Sequence, residues 1–283
     1  MDLIFFCPRL HPRSLTLFFF FFLLFSSLPP PLPPLPPPPL SEPLKELYKT
    51  EVRALARQLS VPEPLLCRHP FPGPGLGVRL LCSNGGDVAP DVSKEIENVL
   101  APYPTLSGVA LPIKSVGVKA DVRSYEHPVL LSSADGETSP TWKDLLEATR
   151  LILRDVPHVN RVVYNLSGKV PATFEALSGT MTKDRLDLLR EADNFVMEGL
   201  RRHGLYDTIW QCPTAMVPMS IDGSGTELVV VRPVHTKRAM TASPAMFPDA
   251  LIEELRRDVL TMEGVSGLTL DLTSKPPGTI EWE

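Results

Sequence analysis

The chain has 283 residues, with 28 basic and 33 acidic side chains and a net charge of −5. That length allows one large domain or two small ones, and a mildly acidic chain argues against general nucleic-acid binding, which needs a concentrated basic surface. Cys7, Cys67, Cys82 and Cys212 form no C-x-x-C pair, and the six histidines are scattered. No metal site is indicated, and a reduced compartment, the cytosol, is expected.

Every residue from 17 to 41 is Phe, Leu, Ser or Pro, and nine prolines fall within 29–39. The apolar run 15–28 is shorter than the roughly 20 residues of a membrane span, and it runs into polyproline rather than a small-residue cleavage site. These four residue types are the ones encodable entirely by pyrimidines, so the segment reads as a translated polypyrimidine tract. A membrane or secretory anchor over 15–28 is the competing reading. Residues 1–42 are set apart from the fold.

Residues 43–90 form a connecting region. An amphipathic helix is predicted over 44–59, with Leu47, Val52, Leu55 and Leu59 on one side. It leads into RHPFPGPGL at 68–76, where Pro and Gly dictate a defined loop rather than a strand. A short apolar strand carrying Arg79 is predicted over 78–82, and 83–87 (SNGGD) reads as a polar turn.

The rest of the chain repeats itself at an offset of 106 residues. Leu111-Pro112 matches Val217-Pro218, Gly117 matches Gly223, and 145–147 matches 251–253. The run 159–173 (VNRVVYNLSGKVPAT) lies over 265–279 (VSGLTLDLTSKPPGT), pairing Lys169 with Lys275. Each unit, 91–173 and 174–283, reads as helix, strand, strand, helix, strand. In the first the helices are predicted at 91–100 and 141–154, and the strands at 109–116, 121–131 and 161–166. In the second the helices are 183–203 and 248–262, and the strands 216–221, 228–234 and 268–272. Strands that pair locally, with helices to one side, predict a two-layer α+β fold of duplicated α-β-β-α-β units with mainly antiparallel sheets.

The last ten residues, SKPPGTIEWE, are the most unusual stretch. A frayed, solvated terminus is the ordinary expectation. Two prolines stiffen this one, however, and Lys275 closely follows a predicted buried strand, where a fixed ammonium can meet a phosphate as a point charge. Asp121 and Arg123 stand two apart on a predicted strand and share a face. Arg forks to phosphate oxygens and Asp accepts from a hydroxyl or ring N–H; an ordinary solvent-facing charge pair fits them equally well. Neither 83–87 nor 167–169 has the spacing of a P-loop, and no G-x-S-x-G nucleophile turn occurs. No catalytic residue is assigned.

At RHPFPGPGL (68–76), PIKSVGVKADVRSY (112–125), VNRVVY (159–164), READNF (190–195), MTASPA (240–245) and TSKPPGTIEWE (273–283) the chain resembles the C-terminal dimerisation region of glutamine-hydrolysing GMP synthases, in its longer two-copy form. The resemblance runs from about residue 43 to the end. It implies an ATP- and Mg²⁺-dependent ligase that aminates xanthosine monophosphate (XMP), with this region forming a homodimer and completing the nucleotide pocket. The positions it implies for XMP are Asp121, Arg123, Gln211, Lys275 and Glu281. Lys275 and Arg123 suit the 5′-phosphate, and Gln211, Asp121 and Glu281 suit ribose or base. The family's SGGxDS adenylation loop and its amidotransferase Cys, His and Glu have no counterpart in the 283 residues, and Ala120 replaces a family glycine. The chain alone is therefore expected to bind no ATP and to be inactive, with amidotransferase and ATP-pyrophosphatase domains supplied upstream. A stand-alone dimerising or nucleotide-sensing module is the alternative.

Overall fold

The computed structural model describes residues 41–119, 122–135, 140–168, 171, 173–237 and 239–283. The low-complexity run up to residue 40, Asp121 and Lys169 lie outside the described residues. The chain divides into two units, 1–46 and 47–283. In the first, residues 43–46 make a turn, with the Lys45 N–H donating to the Glu42 carbonyl at 3.3 Å.

Helix α1 (Lys49–Gln58) is shorter than the predicted 44–59. Tyr48 keeps an extended backbone and donates its N–H to Glu51 Oε2 at 2.6 Å, which fixes the helix start there. A one-turn helix α2 (Glu63–Leu66) follows. The strand expected over 78–82 is absent. Gly75 adopts φ +76°, and the chain continues as a 3₁₀ turn, Gly75–Arg79, that carries Arg79 inward to 4 % exposure. Of the predicted 83–87 turn, Ser83–Asn84 instead form a two-residue strand against Ser178–Gly179, and the chain bends at Gly85. The Gly85 and Gly86 N–H groups are taken by Ser83 Oγ and Asn84 Oδ1, both at 3.0 Å, so neither is available to cradle a phosphate.

Each copy then builds the same piece of sheet. The first has α3 (Ser93–Leu100), β1 (Leu106–Ala110), β2 (Ser115–Lys119), β3 (Val122–Ser133), α4 (Trp142–Asp155) and β4 (Val159–Asn165). The predicted strand 109–116 is split by Pro112, which has no N–H for a ladder, into the end of β1 and the start of β2. The second copy has α5 (Lys183–Arg202), β5 (Thr214–Val217), β6 (Glu227–Val231), α6 (Asp249–Val259) and β7 (Val265–Asp271). Among the described residues these strands make one mixed sheet in the order β1-β3-β4-β7-β6-β5, with β2 paired to the first half of β3. Most pairings are antiparallel. The parallel ones, β3·β4 and β6·β7, are those joined by a helical crossover, as parallel neighbours require.

The copies meet at β4·β7, antiparallel, with Val163 opposite Asp271, Tyr164 opposite Leu270 and Asn165 opposite Thr269. Tyr164 and Leu270 are equivalent at the repeat offset, so a pseudo-twofold axis passes between them. The hydrogen bonds follow it. Leu166 N–H donates to Leu268 O (2.8 Å) as Leu272 N–H does to Val162 O (3.0 Å). Leu268 N–H donates to Ser167 Oγ (3.0 Å) as Val162 N–H does to Thr273 Oγ1 (2.9 Å). Such reciprocity is the signature of an isologous interface, here closed within one chain.

Alternation along the strands sorts side chains to two faces. Val129, Leu131, Val162, Val229, Val231, Leu268 and Leu270 pack under the helices with Ile96, Leu145, Ile152, Leu189, Val196, Leu251 and Leu255. Leu130, Val163, Leu228 and Val230 face the other way, against Leu81, Ile113, Met219, Ile221 and Trp282. The C-terminal tail therefore roofs the helix-free face.

Candidate functional site

The tail is fixed, not frayed. Val118 N–H donates to Pro277 O at 2.7 Å and Val116 N–H to Trp282 O at 3.0 Å, so β2 of the first copy receives the tail of the second. Gly117 permits this approach, because a Cβ there would stand 2.9 Å from Pro277 O and 2.8 Å from Asn160 Nδ2. Asn160 and Ser115 exchange two hydrogen bonds of 2.7 and 2.9 Å that hold β2 against β4. On the far side, Lys275 and Ala242 exchange both backbone hydrogen bonds (2.8 and 3.1 Å).

Beneath the tail lies a buried charge cluster. Arg161, Arg232 and Asp271 are at most 1 % exposed. Asp271 pairs with Arg161 at 2.9 Å and Arg232 at 2.8 Å, and accepts the Trp282 indole N–H at 2.9 Å. Arg161 Nη2 also reaches Val116 O, Thr279 Oγ1 and Glu281 O at 2.7–2.9 Å. Burial alone would push the Asp271 carboxyl up. The two guanidiniums, with hydrogen bonds from Thr273, outweigh it and hold the group below its ordinary value. Burial is the larger effect on Arg161, whose pKa falls to about 9 despite Asp271. A charge cluster at this depth orders the tail because any shift would leave a guanidinium unpaired.

Above this base sit the polar groups expected from the sequence. Glu281 Oε1 accepts from Gln211 Nε2 and Oε2 from Arg79 Nε, each at 3.2 Å. Gln211 is 6 % exposed, and the Glu281 side chain keeps 18 %. Lys275, half-buried, donates from Nζ to Ala239 O at 2.6 Å. Gln211, Glu281 and Lys275 thus belong to one tail-centred assembly. Arg123 is exposed on β3 opposite Val118, one strand beyond the strand that holds Pro277, about 10 Å of sheet from the tail. Asp121 is outside the described residues.

Sequence reasoning missed Arg79, Arg161, Arg232 and Asp271. The last three left a signal: a charge within an apolar strand run (NRVVY, VVVRPV, LTLDL) requires a buried partner. Arg79 left none, since its inward turn depends on the glycine backbone before it. A cavity of about 950 Å³ is lined by Arg53, His69, Tyr206, Trp210, Lys237 and Met240 among others. It adjoins the assembly through Trp210, next to Gln211, and Ala242, paired to Lys275. Among the described residues no cluster of His, Cys, Asp or Glu is placed to hold a metal ion, and no helix is long and apolar enough to cross a membrane.

The architecture is a duplicated α+β domain whose C-terminal tail closes a small polar site over buried arginines. The family model described as "GMP synthase C terminal domain" matches residues 103–176 and 198–282, one stretch in each copy. A probable glutamine-hydrolyzing GMP synthase of Leptospira interrogans is 39 % identical over 244 residues, covering 86 % of this chain and 40 % of the relative. One from Caenorhabditis elegans is 32 % identical over 314 residues, covering 86 % and 42 %. The GMP synthase of Symbiobacterium thermophilum is 42 % identical over 158 residues, covering 48 % and 30 %. The chain belongs to the GMP synthase C-terminal domain family. It spans about 40 % of the length of its first two relatives here.

Proposed function

We propose that this chain supplies the XMP-binding portion of a GMP synthase, the ATP-dependent amination itself requiring upstream amidotransferase and ATP-pyrophosphatase domains. The observation that carries the reading is the Gln211–Glu281 hydrogen bond on a tail that is locked from below and also bears Lys275. In this reading the Lys275 ammonium meets the 5′-phosphate. Gln211 and Glu281, one a donor and acceptor and the other an acceptor, orient ribose or base polar groups. The resemblance also implies Arg123 for the phosphate and Asp121 for ribose or base polar groups. ATP and Mg²⁺ supply the activation of the substrate oxygen when the other domains are present. The Gly85 and Gly86 N–H groups are used within the chain, and among the described residues no group of His, Cys, Asp or Glu is placed to hold a metal ion, which supports a site for ATP and Mg²⁺ on the upstream domains.

The homodimer implied by the resemblance meets a specific obstacle. The seam about the pseudo-twofold is already filled by the chain's own two halves, and among the described residues the main sheet's β5 edge is met by Leu80, which bridges to Met216, whereas β1 is the uncovered edge. We therefore favour a chain that is internally dimeric. The test of function is calorimetric titration of XMP onto the full chain, together with an assay containing ATP, Mg²⁺, XMP and ammonia. Saturable binding without GMP formation is expected. Absent binding would sink the reading, and turnover would reveal an ATP site within these 283 residues.

A further inference from the structure

Two sequence signatures, RHPFPGPGL and READNF, have no part in the nucleotide contacts above, yet both converge on one side chain. The Arg79 guanidinium lies 5.1 Å from the centre of the Phe71 ring, from the first signature. Its Nη1 is 3.8 Å from Asp193 Oδ1, from the second, and its Nε donates to Glu281 Oε2 at 3.2 Å. Asp193 Oδ1 is buried and has no hydrogen-bond partner, so Arg79 is the cation that answers it. At 4 % exposure Arg79 is placed to act on Glu281 from behind and not on a ligand.

We propose that Arg79 is a positioning residue of the nucleotide site, which holds the Glu281 carboxylate in the orientation that a nucleotide meets. This rests on the XMP reading above. Glu281 has three rotatable side-chain bonds and two anchors, Gln211 on one oxygen and Arg79 on the other. It also lies within electrostatic reach of Arg161 and Arg232. Arg232 keeps Nε and Nη2 buried without acceptors, an alternative anchor for a carboxylate released by Arg79. Without Arg79, Glu281 turns inward and its contribution to the ligand is lost. The 68–76 loop and the 190–195 helical segment thus act on the nucleotide through one guanidinium, Phe71 covering its face and Asp193 fixing its far end.

The experiment is a double-mutant cycle read by XMP titration on the full chain. Glu281→Gln and Arg79→Met should each weaken binding about tenfold, and the double variant should be less than twofold weaker than Glu281→Gln alone. Arg79→Lys, which keeps charge but loses the fork, should fall between wild type and Arg79→Met. Should Arg79→Met fail to fold, Phe71→Leu replaces it in the cycle, because that ring is 59 % exposed and its loss spares the core. A two- to threefold weakening is expected, again absent in the Glu281→Gln background. Additive losses in either cycle would overturn the proposal while leaving the nucleotide reading intact. Unchanged affinity in Glu281→Gln itself would overturn that reading and the proposal with it.

Discussion

The ends of β4 and β7 are the same structure with different chemistry. Asn165 and Asp271 are equivalent at the repeat offset, and each accepts the N–H two residues on, from Ser167 and Thr273, at 2.9 Å. The Asp271 turn carries the arginine pairs and the indole of Trp282, and a docked tail follows it. At the position equivalent to Arg161 the second copy has Gly267, where even a Cβ would collide with Ile221. The charge pair that crosses the seam once, from Arg161 to Asp271, has no mirror image. A symmetric scaffold therefore supports an asymmetric site: backbone pairing is retained at both strand ends, and charge is buried only at the Asp271 end.

That difference can be broken most forcefully at Asp271. Asp271→Asn keeps the turn acceptor but strands two buried guanidiniums, and it should cost about 3–5 kcal/mol in urea unfolding. Asn165→Ala, at the mirror position, removes one neutral acceptor and should cost about 1 kcal/mol. Equal losses would mean that the charge cluster adds nothing to the turn. Next comes the lysine pair. Lys275→Met should weaken XMP binding roughly tenfold or more, since a charge-assisted contact is worth about 1.5–3 kcal/mol. Lys169→Met should do far less, and parity between them would return the tail to an ordinary terminus.

Acid should separate the halves more gently. Asp271 is held below its ordinary value, so its stabilising contribution is complete above the usual carboxylate range and is lost as pH falls through the lower folded value. Asn165 has no proton to gain. Exchange protection of the Val116 and Val118 amides, which hold the tail, should decline in acid before that of Ser167. Simultaneous loss would contradict a tail fastened by Asp271. The smallest expected effect is on mass: sedimentation at micromolar concentration should give a monomer, and a doubled mass would direct attention to the β1 edge.

Much of this was legible in the sequence because repetition is a strong signal. The 106-residue offset matched Tyr164 to Leu270, which the seam pairs, and hydrophobic period placed α4, α5 and α6 to within a few residues. Helix α1 was overcalled because its apolar stripe continues past the point where Tyr48 sets the start. Lys275 and Glu281 could be read from their odd company in the tail. The cluster beneath them could not be assembled, because Arg161 and Asp271 are 110 residues apart and meet only when the two halves pair. Arg79 was hidden by an apolar run that suggested a strand, whereas the glycine turn before it dictates otherwise.

The pseudo-twofold seam has a genetic consequence. In an assembly of two identical chains every substitution is written twice, once on each side of the axis, and a change that helps one site must be tolerated by the other. Here the two sides are spelled by separate codons. Gly267 can crowd against Ile221 while Arg161, its counterpart, holds a tail, and neither choice constrains the other. Covalent duplication has let each half contribute different residues to one site, so inherited variation in 91–173 and in 174–283 should be judged by different standards even where the residues align.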